Sequence, residues 1–405
     1  MVAGLCRALG PGRLDLCEDV VQDAMLRALR SWPAEGVPDN PEAWVFRVAR
    51  NLAIDRLRRQ KLADKVEGEL QLWAERERAR HEPAEPAEIA DDTLRLLFLC
   101  SHPAVPVDAR VPLILKTVCG FGVPAIARAL LQKDATIAQR LVRAKARLQE
   151  AEIVFEMPPA EQLPQRVELV LQVVYLLFNE GYRAHAGSLL VQKELIDEAV
   201  RLGSLLLELP ASRTPAVHAL MALMLLLGAR VPARVDAAGD LLTLAEQDRS
   251  RWDQRWLQAG FHHFARSIGG DVLTAYHCEA AIASLHAAAK EYAQTDWRRI
   301  VQEYDRLMAL APSPIVQLNR AVALAKLDGP AAGLAALQPL QQDRTLQDYF
   351  LLAATTAHLH WANGDHAAAA RELARAAAMP SSEPEQRLLQ RRLLACRRGE
   401  PAPAW

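Results

Sequence analysis

The sequence lacks the features that would assign it to several common classes of protein. Its 405 residues include 48 basic and 49 acidic ones, a net charge of −1, so no overall positive charge indicates a nucleic-acid partner. The charge-free stretch at 214–229 has only 16 residues, whereas a membrane-spanning helix needs about 20 apolar ones. The N-terminus has no basic start followed by a long apolar run, as a secretory signal would. We therefore predict a cytoplasmic protein without a membrane partner.

The sequence also lacks recognisable catalytic and metal-binding motifs. Its six cysteines include no C-x-x-C pair, so in a reducing compartment they are best explained as small buried apolar residues. There is no P-loop, no H-E-x-x-H and no G-x-S-x-G. His262 and His263, and likewise His358 and His360, have no acidic or sulfur companion at metal-binding spacing. We expect no enzymatic activity, no cofactor and no metal.

The pattern of apolar residues predicts an all-α fold with several domains. Alanine and leucine recur at three- and four-residue spacing, and alternating apolar and polar runs are rare. Between 62 and 92 ten acidic residues oppose four basic ones, which is typical of a solvated linker, and Pro86 should interrupt any helix there. Prolines near 158 mark a second break. We predict two small helical domains at 1–63 and 93–155, joined by a linker at 64–92. An α-helical repeat domain follows at 160–405.

The segment 43–61 predicts an amphipathic helix with a basic outer face. Asn40 is a suitable N-cap, and Pro41 suits the first helical position. The apolar face comprises Trp44, Val45, Val48, Ala49 and Leu52. The basic residues are Arg47, Arg50, Arg56, Arg58, Arg59 and Lys61. Taken alone, this helix fits a solvated surface as well as it fits a stripe that follows DNA phosphates.

A second basic helix is predicted within 121–148, after a short helix that runs from about Pro124 to Leu130. Asp134 or Thr136 can cap this second helix. Its core stripe should be Ile137, Leu141, Ala144 and Leu148. Its outward side chains should be Thr136, Gln139, Arg140, Arg143 and Arg147. This is the layout of a helix-turn-helix, although the turn lacks glycine.

Four segments resemble parts of bacterial RNA polymerase sigma factors. The runs DLCEDVVQDAMLRAL at 15–29 and NPEAWVFRVARNLAIDRLRR at 40–59 are similar to region 2 of the extracytoplasmic-function (ECF) type. The predicted helix-turn-helix resembles region 4. The runs AQRLVRAK at 138–145 and YLLFNEGY at 175–182 resemble the subgroup with a tetratricopeptide-like C-terminal extension. Nearly the whole chain lies within this resemblance.

The resemblance implies roles for residues of region 2. The helix at 15–29 would dock on the clamp helices of the largest polymerase subunit, with Val20, Ala24 or Met25 supplying the packing. Its polymerase-binding residues would be Asp19, Gln22, Asp23 and Leu26. The helix at 43–61 would open and hold the −10 promoter element, which needs basic side chains and a pocket for an unstacked base. Its −10 residues would be Arg47, Arg50, Asn51, Arg56, Arg58 and Arg59. Asn51 and Asp55 have an alternative structural role, since Asp55 can pair with Arg59.

The resemblance also implies roles for region 4, which would contact the polymerase flap and read the −35 element. Its DNA-binding residues would be Lys133, Thr136, Gln139, Arg140, Arg143, Lys145 and Arg147. Ala138 departs from the family pattern, because many sigma factors have lysine there. Only about 14 residues precede Asp15, so the first helix of region 2 is short or the start is late.

The remaining 240 residues read as successive helix pairs. The segment 364–380 resembles the second half of a tetratricopeptide repeat, with Gly364 at the turn and Ala369 and Ala376 at small packing positions. The segments 349–363 and 314–342 would be its first helix and a degraded preceding repeat. Asn179, Glu180 and Tyr182 form the most site-like cluster. Such a cluster serves either as a structural cap or as a regulatory contact within the protein.

We therefore expect a sigma factor that recognises −10 and −35 elements with core polymerase. Its C-terminal repeat domain would regulate it through an intramolecular or protein contact. The alternative is a stand-alone helix-turn-helix regulator with a sensing domain. That alternative explains the second basic helix but not the acidic helix at 15–29.

Overall fold

The computed structural model describes residues 1–59, 86–130, 132–151, 153, 155–159, 161–182 and 191–404. Within these ranges the chain forms eighteen α-helices, and its only strand-like pairing is an isolated antiparallel bridge between Val235 and Leu241. The all-α prediction is confirmed. The chain divides into two compact units, Met1–Val173 and Val174–Trp405.

The first unit begins with α1 (Val2–Leu9), α2 (Leu14–Glu35) and α3 (Pro41–Arg59). Asn40 caps α3 as predicted, since its Oδ1 accepts a hydrogen bond from the Ala43 amide at 3.0 Å. The buried stripe of α3 consists of Val45, Ala49, Ala53 and Leu57. The predicted core residues Trp44, Val48 and Leu52 are only half-buried, so the core face is rotated from the predicted one. Lys61 lies outside the described residues.

The first unit continues with α4 (Pro86–Cys100), α5 (Val107–Thr117), α6 (Val123–Ala129) and α7 (Asp134–Glu150). Most of the predicted acidic linker, residues 64–85, lies outside the described residues. Its last part belongs to α4, which Pro86 begins and does not interrupt. Asp92 is buried, and its carboxylate lies 3.5 Å from Arg7 Nε and 3.1 Å from Arg95 Nη1. Asp92 therefore ties α4 to α1.

Helix α8 (Leu163–Tyr182) starts in the first unit. Arg166 near its start is buried and donates through Nη1 to the carbonyl oxygen of Phe98 at 2.6 Å. The same nitrogen lies 3.4 Å from Ser101 Oγ. The end of α4 is thereby fixed to the start of α8.

The second unit consists of the end of α8 and ten further helices. These are α9 (Lys193–Glu208), α10 (Pro215–Gly228), α11 (Gln254–Ser267), α12 (Ala275–Ala288), α13 (Trp297–Leu310), α14 (Pro314–Asp328), α15 (Pro330–Leu337), α16 (Phe350–Ala362), α17 (His366–Ala377) and α18 (Glu383–Arg397). The predicted pairs are present as α14 with α15 and α16 with α17, which turn at Gly329 (φ 94°) and Gly364 (φ 86°). Ala369 and Ala376 are fully buried, as expected of small packing positions.

Helix α10 is the apolar core of the second unit. The segment Pro215–Ala233 is long and apolar enough to cross a membrane, but 72% of it is buried inside the protein. It packs against α9, α11 and α12. Its hydrophobicity is that of a core helix.

Candidate functional site

The outward face of α2 combines polar and apolar side chains. Asp19, Gln22, Met25, Leu26 and Leu29 are exposed, and helical spacing places 19, 22, 26 and 29 along one side. Docking on another protein commonly uses such a mixed surface, with apolar contacts among polar ones.

Two residues predicted to pack against the polymerase face the other way. Val20 and Ala24 are fully buried in the first unit. Their assignment to the docking surface is therefore wrong, because periodicity marked them as apolar without showing which partner covers them. Met25 remains exposed and keeps that role as a prediction.

Acidic residues of α2 are paired with a basic residue of α3. Arg56 Nη2 lies 2.5 Å from Asp23 Oδ2, and Arg56 Nη1 lies 3.4 Å from Asp19 Oδ2. A predicted −10 residue is thus bound to two predicted polymerase-binding residues. All three side chains are more than a third exposed, so each pair contributes little to stability.

The other predicted −10 residues of α3 differ in exposure. Arg47 and Asn51 are exposed four residues apart, whereas Arg50 is half-buried. The side chains of Arg58 and Arg59 lie outside the described residues, as does the proposed pairing of Asp55 with Arg59. The described part of the outward face therefore carries a guanidinium and an amide one turn apart, followed one turn later by the exposed carboxylate of Asp55.

Helix α7 has the predicted core stripe. Ile137, Leu141, Ala144 and Leu148 are its buried residues, as their spacing indicated. The predicted cap is wrong, because the N-cap is Lys133, which makes no side-chain capping bond, and Asp134 is the first helical residue. Its acidic side chain still lies favourably in the first turn.

Most of the predicted −35 residues lie on the outer side of α7. Lys133, Gln139, Arg143 and Arg147 are exposed, and Thr136 and Arg140 are half-buried. Arg147 Nη1 lies 2.9 Å from Glu150 Oε2 in an exposed pair. The Arg147 side chain is free to reorient, because exposed pairs are weak.

An aspartate of α5 holds the two central arginines of α7. Asp108 Oδ2 lies 3.0 Å from Arg140 Nε and 3.4 Å from Arg143 Nη2. Sequence reasoning missed Asp108, since no local pattern links residues this far apart. While they are paired with Asp108, these guanidinium N–H groups are not available to donate to a base or a phosphate.

Lys145 of α7 pairs with acidic residues of α2. Its Nζ contacts Asp15 Oδ1 at 2.5 Å and Glu18 Oε2 at 2.8 Å, and its side chain is only 14% exposed. Burial by itself would lower the pKa of Lys145, but the bonds to Asp15 and Glu18 raise it. In this structure Lys145 links α7 to α2, so the DNA contact predicted for it would require this pairing to open.

The cluster at the end of α8 lies in the second unit. Glu180 is buried, and the Tyr182 ring stacks on Phe178 with centroids 5.5 Å apart. Arg234 lies 4.1 Å from the Tyr182 ring centroid and donates to the Tyr182 carbonyl oxygen. Burial raises the pKa of Tyr182, but Arg230 and Arg234 outweigh it and lower that pKa. The positive charges beside Tyr182 were not expected from the sequence.

A tyrosine cluster around a glutamate was also missed. Tyr175 Oη donates to the Glu279 carboxylate at 3.0 and 3.2 Å, and the Tyr175 and Tyr276 rings lie 5.6 Å apart. Burial raises the pKa of Glu279 to about 7, although the bond from Tyr175 lowers it. Burial and then the negative charge of Glu279 raise the pKa of Tyr304. These residues come from α8, α12 and α13, so no local sequence signal joins them.

Cysteine and histidine side chains form no group of metal-ligating residues within the described ranges. Cys119 is half-buried and the other five cysteines are buried, as predicted for apolar packing. His263 does have a close neighbour, because its Nδ1 lies 2.9 Å from Nδ1 of His218. Burial, followed by His218, His262 and Arg266, lowers the pKa of His263 to about 4.

Comparison with known proteins identifies the first part of the chain. Residues 1–63 match the family model of sigma-70 region 2, and residues 166–268 match a family of unknown function (DUF6596). Sigma-70 proteins are non-enzymatic transcription factors.

The match over the first 63 residues supports a place in the sigma-70 family. An uncharacterized protein of Rhizobium meliloti (strain 1021) is 42% identical to it over 340 residues, which are 83% of this chain and 79% of that protein. The chain belongs to the same family as that relative. No solved structure matches the chain. Region 2 implies binding to core RNA polymerase and to promoter DNA, and a role in transcription initiation.

Proposed function

We propose that the protein is an ECF-type sigma factor that recruits core RNA polymerase to promoters with specific −10 and −35 elements. The observation that supports this most is the pair of basic helices α3 and α7. Each has a buried apolar stripe and an exposed face with arginine and an amide, Arg47 with Asn51 and Arg143 with Gln139. The protein would act in the cytoplasm, where its polymerase and promoters are.

At the −10 element, α3 would hold the opened strand. Asn51 offers both a donor and an acceptor to an unstacked base, and Arg47 offers a charge to the phosphate chain. Arg56 would join them once it leaves Asp19 and Asp23. Arg50, Arg58 and Arg59 complete the proposed set.

At the −35 element, α7 would lie in the major groove. Gln139 and Arg143 can read base edges, because glutamine pairs with adenine and arginine with guanine in a bidentate manner. Lys133 and Arg147 at the two ends of the helix would contact phosphates. Arg140 and Thr136 would follow after Arg140 leaves Asp108.

The polymerase would bind the outward face of α2. Asp19, Gln22, Asp23 and Leu26 are the proposed contacts with the clamp helices, and Met25 adds apolar area. The α4 to α7 part would contact the flap. Because Asp15 and Glu18 of α2 hold Lys145, the helix that docks on polymerase also binds the helix that reads DNA.

The second unit would regulate initiation in tetratricopeptide-like fashion, through helix pairs that present a binding surface. Glu180 with Asn179 and Tyr182 remains the proposed regulatory contact. A chain that ends after Tyr182 keeps the hydrogen bond from Arg166 to the Phe98 carbonyl oxygen of α4. A chain that ends before Arg166 would lose this bond. Its run-off activity should differ from that of the full chain, and equal activity would remove this regulatory role.

Run-off transcription with purified core polymerase and a promoter library tests the proposal. We expect the wild type to select promoters with two shared elements. Arg143→Ala should relax selection at one −35 position by about 1–3 kcal/mol, or roughly 5- to 150-fold. Arg298→Ala, a change at an exposed residue of α13, is the matched control and should leave selection unchanged. A stand-alone regulator would instead bind DNA without polymerase and give no transcript.

A further inference from the structure

Two arginines of the second unit converge on one tryptophan. The guanidinium carbon of Arg249 lies 4.6 Å from the ring centroid of Trp252, and that of Arg230 lies 5.7 Å from it. Trp252 is buried, whereas both arginines are half-buried and reach solvent. Two positive charges therefore share one largely apolar surface.

Arg249 is held firmly from one side. Its Nη1 donates to the carbonyl oxygens of His286 and Ala289, both at 2.7 Å, at the C-terminal end of α12. This contact satisfies orphan carbonyls of the helix and explains why an arginine is present. The other terminal nitrogen, Nη2, is buried and has no acceptor among the described residues. Trp252 Nε1 is a second buried donor in the same condition.

Arg230 offers a guanidinium fork. Its Nε lies 3.4 Å from Gln247 Oε1, a long hydrogen bond, and the Gln247 amide is oriented by donating to the Leu242 carbonyl oxygen at 3.2 Å. Within the described part of the chain, neither terminal nitrogen of Arg230 has a protein acceptor. A guanidinium in this arrangement presents two parallel N–H groups, the geometry that matches a carboxylate or phosphate.

No acidic side chain balances this charge among the described residues. Neither Arg230 nor Arg249 has a carboxylate within ion-pair distance there. Burial and then Arg230 lower the pKa of Arg249, and Tyr292 is the only group that raises it. Burial, Arg230 and Arg249 also lower the pKa of His286 to about 3, so this imidazole stays neutral. Half-buried positive charge without a counter-charge is costly, and a bound anion would remove that cost.

We propose that Arg230, Arg249 and Trp252 form a binding site for a small molecule that carries an oxyanion, either a phosphate or a carboxylate. The terminal nitrogens of Arg230 bind the oxyanion, and Arg249 supplies the second positive charge. The Trp252 Nε1 donor adds a hydrogen bond. Binding here is the signal input of the second unit; that last step alone rests on the proposed function.

Isothermal titration calorimetry of the full chain, at constant ionic strength set with chloride, tests the site. Inorganic phosphate and acetate are the two probes. We expect saturable binding of at least one of them, and binding about tenfold weaker or more in Arg230→Gln. Arg298→Gln, which removes an exposed arginine of the same unit, should bind as the wild type does. Circular dichroism should show that both variants are folded.

The two probes separate the possible ligands. Binding of phosphate alone supports a phosphorylated ligand, and binding of acetate supports a carboxylate. Absence of saturable heat with both probes, or equal affinity of Arg230→Gln and wild type, overturns the site. The calorimetry uses no polymerase or DNA, so its failure leaves the role in initiation intact. Conversely, a chain that binds phosphate but gives no transcript would keep the site and lose the proposed function.

Discussion

At the scale of single residues, burial separates chemically similar side chains into different roles. Asp19 and Glu279 are both acidic, but Asp19 is exposed beside Arg56, whereas Glu279 lies among tyrosines where burial raises its pKa to about 7. The ordinary value is 4.5. Between about pH 4.5 and pH 7, Glu279 is therefore protonated in the folded protein and ionised in the unfolded chain.

This difference predicts a pH-dependent stability. Because the folded state binds more protons, the free energy of unfolding should fall as pH rises from about 4.5 to about 7 and then level off. Glu279→Gln keeps an acceptor for Tyr175 and removes the titration. The variant should be more stable than the wild type at pH 8, by up to about 3 kcal/mol, and about equal to it at pH 4. Urea unfolding, monitored by a signal from the second unit, measures this difference in the free energy of unfolding.

The exposed Glu291 provides the control for that measurement. Glu291→Gln should shift stability by no more than about 0.5 kcal/mol at either pH. A Glu279→Gln variant that is less stable than the wild type at pH 8 would show that the charged carboxylate is the favoured form.

At the scale of helices, the sequence was informative wherever a local period decides the structure. Four-residue spacing predicted the core stripe of α7 correctly, and Gly364 marked a turn. The cap of α7 and the core face of α3 were less accurate, because neighbouring elements select among nearly equivalent local solutions. Contacts between distant residues could not be predicted. Lys145 with Glu18, Arg140 with Asp108 and Tyr175 with Glu279 have no shared pattern in the chain.

The packing of α10 against α11 gives a prediction at this scale. A Cβ atom added to Gly228 would lie 2.4 Å from Cζ3 of Trp256, so the two helices approach closely there. Gly228→Ala should destabilise the second unit by about 1–3 kcal/mol, as overpacking does. Gly269 has no atom within 4 Å of such a Cβ, so Gly269→Ala should be nearly neutral. Equal thermal midpoints for the two variants would contradict the close approach.

At the scale of the whole molecule, acidic and basic side chains of the first unit form ion pairs with one another. Asp15 and Glu18 hold Lys145, Asp19 and Asp23 hold Arg56, and Asp108 holds Arg140. Several residues proposed to meet polymerase or DNA are thus already paired within the unit. Binding of both partners must exchange these pairs for new ones.

Lys145→Met tests this exchange. The substitution removes the bonds from α7 to Asp15 and Glu18 and keeps much of the apolar side chain, so α2 should become easier to engage. A partly buried pair of this kind contributes about 1 kcal/mol, so affinity for core polymerase should rise about fivefold. Lys133→Met is the control, since Lys133 is exposed at the start of the same helix. Fluorescence titration with labelled chain measures both, and unchanged or weaker binding by Lys145→Met would exclude the competition.

The most direct test of the central claim maps the two basic helices on one promoter. Photo-crosslinkers placed at Asn51 of α3 and Gln139 of α7, in chain assembled with core polymerase, report which base pairs each helix touches. We expect Asn51 to crosslink to a stretch near position −10 and Gln139 to a separate stretch near −35 of the same duplex. Crosslinks from both positions to one shared stretch, or none from α7 on any transcribed promoter, would contradict it.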